Sequence, residues 1–539
     1  MRPAEIATTA QHTQRQSPSP RNPTQKTGDS QLTGDLRRRQ FLEGLGAAGG
    51  VLCLTDLDFL GHLPRVSAAE THLPTAAVKF QPDIEPLVRL LEETPRDQVI
   101  ARFAEKIVAG TSYRDVLAAL LLAGVRNVQP RPSVGFKFHA VLVVNSAHLA
   151  SLAAPDSDRW LPIFWALDYF KSSQERDVEE GDWTMASVDE SRLPSPERAR
   201  RAFREAMETW DVEAADVATA ALCRTAGAGE VFDLMAHYGC RDFRSIGHKA
   251  IYVANAYRTL QCIGWRYAEP VLRSLSYAIL NHTGEPNPAQ NELTADAAWR
   301  LTQKTLADGT GRWEGGRLDQ AATTDHLATL RTATPEEAVA VTAKMLDSGI
   351  SPQSVIDALF LSAGEMVIQQ PAIVALHAAT TTNAMQYAYR TVHRRSTRQE
   401  LLLQNAAFIP YFRRAMEARG KVGTQSIDRL PESDDSSETP TLEQIFDTVS
   451  QDRSAAERQM FRFLEQGGRP DDLINAARRL VFLKGNDSHD YKFSSAVLED
   501  YFALSPEFRN RFLSSSAHLL PGSGGRDNGL KDRVQQALG

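Results

Sequence analysis

Apolar residues recur at i, i+3, i+4 and i+7 along most of this sequence, while alternating β-branched runs are few and short. The helical period is clearest over residues 97–109, 196–208, 334–347 and 441–466. Ser195-Pro-Glu-Arg, Thr334-Pro-Glu-Glu and Ser505-Pro-Glu-Phe each read as an N-cap, a proline at the first helical position and an acid in the first turn. The pattern predicts an all-α protein.

The pattern also repeats. Gly110-Thr-Ser-Tyr-Arg-Asp-Val116-Leu-Ala-Ala-Leu120-Leu-Leu122 aligns without gaps to Gly349-Ile-Ser-Pro-Gln-Ser-Val355-Ile-Asp-Ala-Leu359-Phe-Leu361. A histidine follows each, His139 at 23 residues past Val116 and His377 at 22 past Val355. Six residues beyond each histidine stands an asparagine, Asn145 or Asn383. Two looser copies lead from Gly229 to His248 and from Arg469 to His489. Each copy runs from a Gly- or Pro-marked start through an apolar helix and a loop to a histidine that opens another helix.

The four histidines are separated by 109, 129 and 112 residues. One histidine at a helix start is ordinarily a cap or a core residue. Four at equivalent places point to one shared site, because helices packed about a common axis bring such positions together. The expected architecture is a multi-helical array of repeated hairpins around a central pocket lined by His139, His248, His377 and His489. Imidazole titrates near neutrality and ligates metals, and neutral imidazole suits iron, zinc, copper or nickel. No His-Glu-x-x-His occurs and no Glu-x-x-His pair recurs, so the metal is not specified. His139, His248 and His377 are the catalytic candidates, and all four histidines are the candidate metal ligands. His148 and His237 are candidate supporting residues, with a core or surface role the simpler account. His282, His326, His393 and His518 read as surface.

Residues 1–70 form an arm and leader, 76–420 the helical core with its repeat, 421–440 a flexible linker and 441–539 a smaller helical region. The linker reading rests on Pro431-Glu-Ser-Asp-Asp-Ser-Ser-Glu-Thr-Pro440, which is polar, acidic and without apolar period. Within the last region, Lys484-Gly-Asn-Asp-Ser-His489-Asp-Tyr-Lys-Phe493 is a polar run between apolar helices. It reads as a helix cap and also as a loop aiming His489, Tyr491 and Lys492 at a pocket. The aromatic runs 160–170 and 252–267 read as helix-packing core, with a flat apolar ligand site as the alternative.

Composition narrows the partners. A net charge of −7 and the absence of a long basic tract argue against nucleic acid. Four cysteines at irregular spacing, without Cys-x-x-Cys, make no disulfide framework. No apolar stretch approaches the roughly 20 residues of a membrane span. Residues 1–36 are rich in Gln, Thr, Ser and Pro and are expected to be disordered. Arg37-Arg38-Arg39-Gln40-Phe41-Leu42 then precedes a Gly/Ala-rich apolar stretch and small residues near Ser67-Ala-Ala69. This resembles a twin-arginine export signal. The resemblance implies passage through an export translocase, a periplasmic or extracellular location, and no membrane anchor once the signal is cleaved. Gly44-Leu-Gly46-Ala-Ala-Gly49 matches the dinucleotide fingerprint only in letters, because no strand precedes it and no β-α-β unit surrounds it.

The ordered segments Phe138-His139 with Asn145-Ser-Ala-His148, Trp160-Leu-Pro-Ile, Asp168-Tyr-Phe-Lys, Ile246-Gly-His248-Lys-Ala-Ile-Tyr252 and Ala375-Leu-His377-Ala-Ala-Thr-Thr381 resemble the questin oxidase-like family. The resemblance covers roughly residues 85–415. It departs at Gly247-His248-Lys249, where the family has a double histidine. It implies an all-α oxidoreductase using oxygen, in the style of ring-opening oxidation of aromatic polyketides. The sequence thus leaves two readings. One is an exported oxidoreductase acting on a small apolar or aromatic substrate at a histidine-lined site, dependent on metal or oxygen. The other is a helical-repeat scaffold without catalysis, in which the histidines are caps on separate surfaces.

Overall fold

Glycine, serine and proline set the starts of the repeated helices. Gly110 and Gly349 take left-handed backbone, with φ of 101° and 82°. Two residues on, the Ser112 and Ser351 side chains accept the N–H of Asp115 and Gln353 and cap the helices Tyr113–Asn127 and Pro352–Gln369. Both helices are buried around most of their circumference, as their near-continuous apolar sequence requires. Thr334 makes a full capping box with Glu337 ahead of Pro335. Ser195 and Ser505 stand at N-cap positions but form no side-chain cap bond.

The structure, a computed structural model, describes residues 77–130, 138–309, 313–429 and 438–538. Among them are 22 α-helices and no strand, so the fold is all-α. No helix among them is long and apolar enough to cross a membrane. The arm, the arginine-rich leader and the Gly44–Gly49 fingerprint lie outside the described residues.

Each candidate histidine stands near the start of its own helix: His139–Leu152, His248–Ile263, Ile373–Thr391 and Ser488–Asp500. Each of these packs against the helix that precedes it, namely Tyr113–Asn127, Ala228–Gly239, Pro352–Gln369 and Pro470–Lys484. Among themselves they close a ring. The His139 helix packs on the His248 and His489 helices, and the His377 helix packs on the same two. The result is an inner four-helix bundle flanked by its preceding helices.

Two sequence expectations need correction. Residues 441–466 are two helices, Leu442–Val449 and Arg453–Glu465, because the Asp452 carboxylate caps the N–H groups of Ser454 and Ala455 and starts a new one. Residues 421–429 are anchored rather than free. Ile427 is fully buried, its N–H donates to Glu365, and Asp428 pairs with Arg331. The polar run 430–437 lies outside the described residues. The described residues belong to one compact unit, and its main apolar core runs from Val78 to Val534, beside two small clusters around Leu327 and Ile251. The C-terminal helices therefore share the core of the rest and supply one side of the central bundle.

Candidate metal centre

The loop ahead of His248 is built under strain. Ser245, Ile246 and Gly247 are all left-handed, with φ of 61°, 46° and 84°. For a β-branched residue such as Ile246 this is a costly conformation. Gly247 tolerates it, and an added Cβ there would lie 2.0 Å from Thr381 Oγ1 on the His377 helix. The loop is bracketed by Asp242, which accepts the Arg244 N–H at 2.9 Å and the Lys249 ammonium at 2.9 Å. Arg244 also forks onto Asp296 at 2.6 and 2.8 Å. The strained turn presents the Ser245 carbonyl to His248.

That carbonyl fixes a tautomer. His248 Nδ1–H donates to the Ser245 oxygen at 2.6 Å, and His377 Nδ1–H donates to the Ile373 oxygen at 2.6 Å. A carbonyl only accepts, so both rings carry their proton on Nδ1 and expose a bare Nε2. His489 Nδ1–H donates to the Asp487 carboxylate at 2.6 Å in the same sense. This is the carboxylate–histidine arrangement that orients metal-binding imidazoles. Burial works to raise the Asp487 pKa, but its hydrogen bonds with His489 prevail and hold it at about 2, so it stays ionised.

The four rings converge. His248 Nε2 is 3.1 Å from His139 Nε2 and 3.0 Å from His377 Nε2. His139, His377 and His489 each offer a nitrogen, and these lie within 4.8 Å of one another. His248 stands outside that triad but between two of its members. Rings meet at 4.7 Å for His139 and His489, and at 5.4 Å for His377 and His489. All four are largely buried: His139, His248 and His377 are 6%, 4% and 1% exposed, and the His489 side chain 13%. An ion bound by nitrogens at about 2.0–2.1 Å holds neighbouring donors roughly 3 Å apart, so these spacings suit shared ligation.

The 3.0 Å contact between His248 and His377 has a specific chemical meaning. Two bare Nε2 lone pairs repel, and a cation between them would make the contact favourable. A proton is a poor candidate. Burial first, and the Lys492 ammonium next, push both imidazoles well below their ordinary pKa. The positive end of the helix that begins at His248, and that of the helix that begins one turn before His377, act in the same direction. Neutral imidazole is the form a metal ion requires.

Lys492 completes the site. It is fully buried, its Nζ lies 3.4 Å from His377 Nε2, and burial pulls its pKa down to about 7 against the attraction of Asp487. The polar run around His489 therefore holds both roles read from the sequence. Asp487 and Asp490 form a capping box, and the same Asp487 orients His489. Tyr491 turns the other way, stacking on Trp165 at 4.0 Å in the core. The aromatic runs are core as expected: Trp165 also stacks on Tyr169, and Tyr252 meets Phe138 edge-on.

The remaining histidines lie elsewhere. His148 is buried and bonded to the Tyr113 hydroxyl at 2.9 Å, and His237 pairs with Glu400 at 2.7 Å. His393 is exposed and His282 half-buried. His326 and His518 are not surface residues. His326 is 2% exposed beside Thr342, and His518 is 7% exposed and paired with Glu457 at 2.9 Å. His326 lies on the buried face of its helix and His518 ends a single 3₁₀ turn, each with one polar partner, and periodicity does not distinguish such positions from solvated ones.

Two turns beyond the histidines, Asn145 and Asn383 face their partners. Asn145 donates to Asn255 at 3.2 Å, and Asn383 donates to Asp500 at 2.7 Å. The sequence reading missed Asn255, although it lies seven residues past His248, nearly the spacing of the other two. It also missed Asp487 as an orienting residue and the left-handed Ser245–Gly247 turn, for which Gly247 was the visible signal. Comparison with family models, with curated proteins and with solved structures finds no match.

Proposed function

We propose that this protein is a metal-dependent oxidoreductase in which His139, His248, His377 and His489 hold one transition-metal ion, iron, zinc or copper. The observation that carries the reading is the pair of tautomer-fixed Nε2 atoms of His248 and His377, 3.0 Å apart and buried. A bound metal would supply Lewis-acid or oxygen-activating chemistry. The protein's own residues would orient the ligands through Asp487, Ser245 and Ile373, exclude bulk water, and offer the Lys492 amine as a hydrogen-bond donor to a reactant at the centre. Oxygen-dependent oxidation of a small apolar or aromatic substrate is the reaction class implied by the questin oxidase-like segments, most of which lie on the bundle helices. A site assembled from four separate helices exists only in the folded chain, which fits export by a route that carries folded proteins. The scaffold reading expects histidines capping separate surfaces, and their convergence weighs against it.

Elemental analysis of untagged protein tests the proposal, beside the triple variant His139→Ala, His248→Ala, His377→Ala. The expected result is close to one metal ion per chain, lost in a variant that keeps its helical circular dichroism. Metal absent from wild type after purification and after reconstitution with iron, zinc and copper would overturn the proposal.

A further inference from the structure

Away from the histidine centre, a cavity of about 300 Å³ is bounded by the helices Val212–Thr225 and Ala268–Ile279 and by the non-helical segment 182–189. None of its described lining residues is a histidine. Its size is at the lower end of small-molecule sites, roughly 300–1,000 Å³. The segment that walls it is pinned. The Met185 N–H donates to the Arg126 carbonyl and the Met185 carbonyl accepts the Val78 N–H, both at 2.8 Å, and Ala186 bridges to Ala77. Trp183, Met185, Val212 and Val217 give the cavity an apolar side.

On the polar side, donors are spare and acceptors are engaged. Arg273 is 3% exposed. Its Nε and Nη2 fork onto Asp216 at 2.8 and 2.9 Å, and Nη2 also donates to the Ala186 carbonyl. Nη1 is buried without a hydrogen-bond partner. The Tyr277 hydroxyl accepts from Gln129 at 3.2 Å and the Ser274 hydroxyl accepts from Tyr252 at 2.9 Å, and neither donates to a described acceptor. A buried nitrogen of this kind calls for an acceptor. The lining carboxylates do not supply one. Asp216 is held by Arg273, Asp189 accepts the Ser191 N–H and hydroxyl, and Glu213 faces Arg192 at 3.5 Å. The same pairs settle the charge. Asp216 offsets Arg273 and Glu213 offsets Arg192, so Asp189 leaves the lining with a negative charge over. An anion gains nothing there, whereas a neutral oxygen can accept from the spare donors.

We propose that this cavity is a binding site for a small uncharged molecule with an apolar body and a carbonyl oxygen, the oxygen toward Arg273 and Tyr277 and the body against Trp183 and Val212. The site is separate from the histidine centre and does not rest on the metal-centre reading. A short chain of contacts joins the two, since Ser274 in the lining holds Tyr252, which meets Phe138 edge-on next to His139.

Fluorine NMR titration of the full chain tests the site, with para-fluoroacetophenone as the probe. Para-fluoroethylbenzene has a similar shape without the acceptor, and para-fluorobenzoate carries the charge. The ketone should bind saturably, about fivefold or more tighter than para-fluoroethylbenzene and tighter than para-fluorobenzoate, in protein with and without metal. Ala186→Trp, at an exposed lining position, fills the cavity and should abolish saturable binding, and Val212→Trp provides the same block from the facing helix if the first variant does not fold. Tyr277→Phe should reduce the preference for the ketone over para-fluoroethylbenzene while helical circular dichroism is unchanged. Absence of saturable binding, a ketone affinity no better than that of either analogue, a preference unchanged in Tyr277→Phe, or binding that persists in the filled variants overturns the proposal. Binding seen only in metal-loaded protein would place the ketone at the histidines and also overturn it, whereas binding to protein that never takes up metal upholds the site and leaves only the metal-centre reading overturned.

Discussion

At the scale of single residues, the buried imidazoles outside the centre report directly on stability. Burial holds His326 at about 4 and His148 at about 4, whereas an unfolded histidine titrates near 6.5. Between those values the unfolded chain binds a proton that the folded chain refuses. Stability contributed by each neutral histidine is therefore complete above about pH 6.5 and falls as pH drops toward 4, by about 1.4 kcal/mol per pH unit for each group. Denaturant titrations across that window should show the slope, and His326→Gln should remove about one group's share of it. An unchanged slope in the variant would mean that His326 is protonated in the fold. Neither burial was legible in the sequence. His326 lies in Asp-His-Leu-Ala and His148 in Ala-His-Leu-Ala, and which face of a helix meets a neighbour depends on where that neighbour is.

At the scale of elements, the turn from Asp242 to Lys249 is where local preference gives way to tertiary restraint. Ile246 is left-handed because Asp242 ties both ends of the turn and Gly247 is pressed against Thr381. Lys249 is 1% exposed, with Asp242 as its ion-pair partner at 2.9 Å. Asp242→Ala would leave that ammonium buried and unpaired, an effect of about 3–5 kcal/mol. The expected outcome is a large fall in the denaturation midpoint together with loss of metal. The double change Asp242→Leu, Lys249→Met should recover most of the stability, because no buried charge remains. It should leave metal binding weak, since the turn loses its anchor. Recovery of both in the double variant would mean that the bracket does not position His248. The capped starts were more legible than this turn. Thr334 caps its helix as Thr334-Pro-Glu-Glu reads, and Ser195 and Ser505 hold the expected N-cap positions without a side-chain bond, because the position of a helix start is written in adjacent residues.

At the scale of the whole molecule, the C-terminal helices are part of the centre. The sequence reading set residues 441–539 apart as a smaller region. The structure packs the His489 helix against the His139 and His377 helices, and the apolar core continues to Val534. A chain ending at residue 440 is therefore expected to lose cooperative unfolding as well as metal, as judged by thermal circular dichroism and elemental analysis. Cooperative folding of that fragment would show that the inner bundle is complete with three helices.

The all-α class, many of the helix starts, the repeat and the four histidines at equivalent places were legible in the residues alone, because each is a matter of period or capping over a few residues. The sequence did not determine that the histidines meet, that two of them face each other through bare nitrogens, or that Lys492 is buried against His377. Those depend on helices more than a hundred residues apart closing into one ring. They depend also on carbonyls whose direction is set by backbone torsions such as those of Ser245 and Ile246. Packing across such distances is decided by the summed burial of the whole core, and no local pattern encodes it.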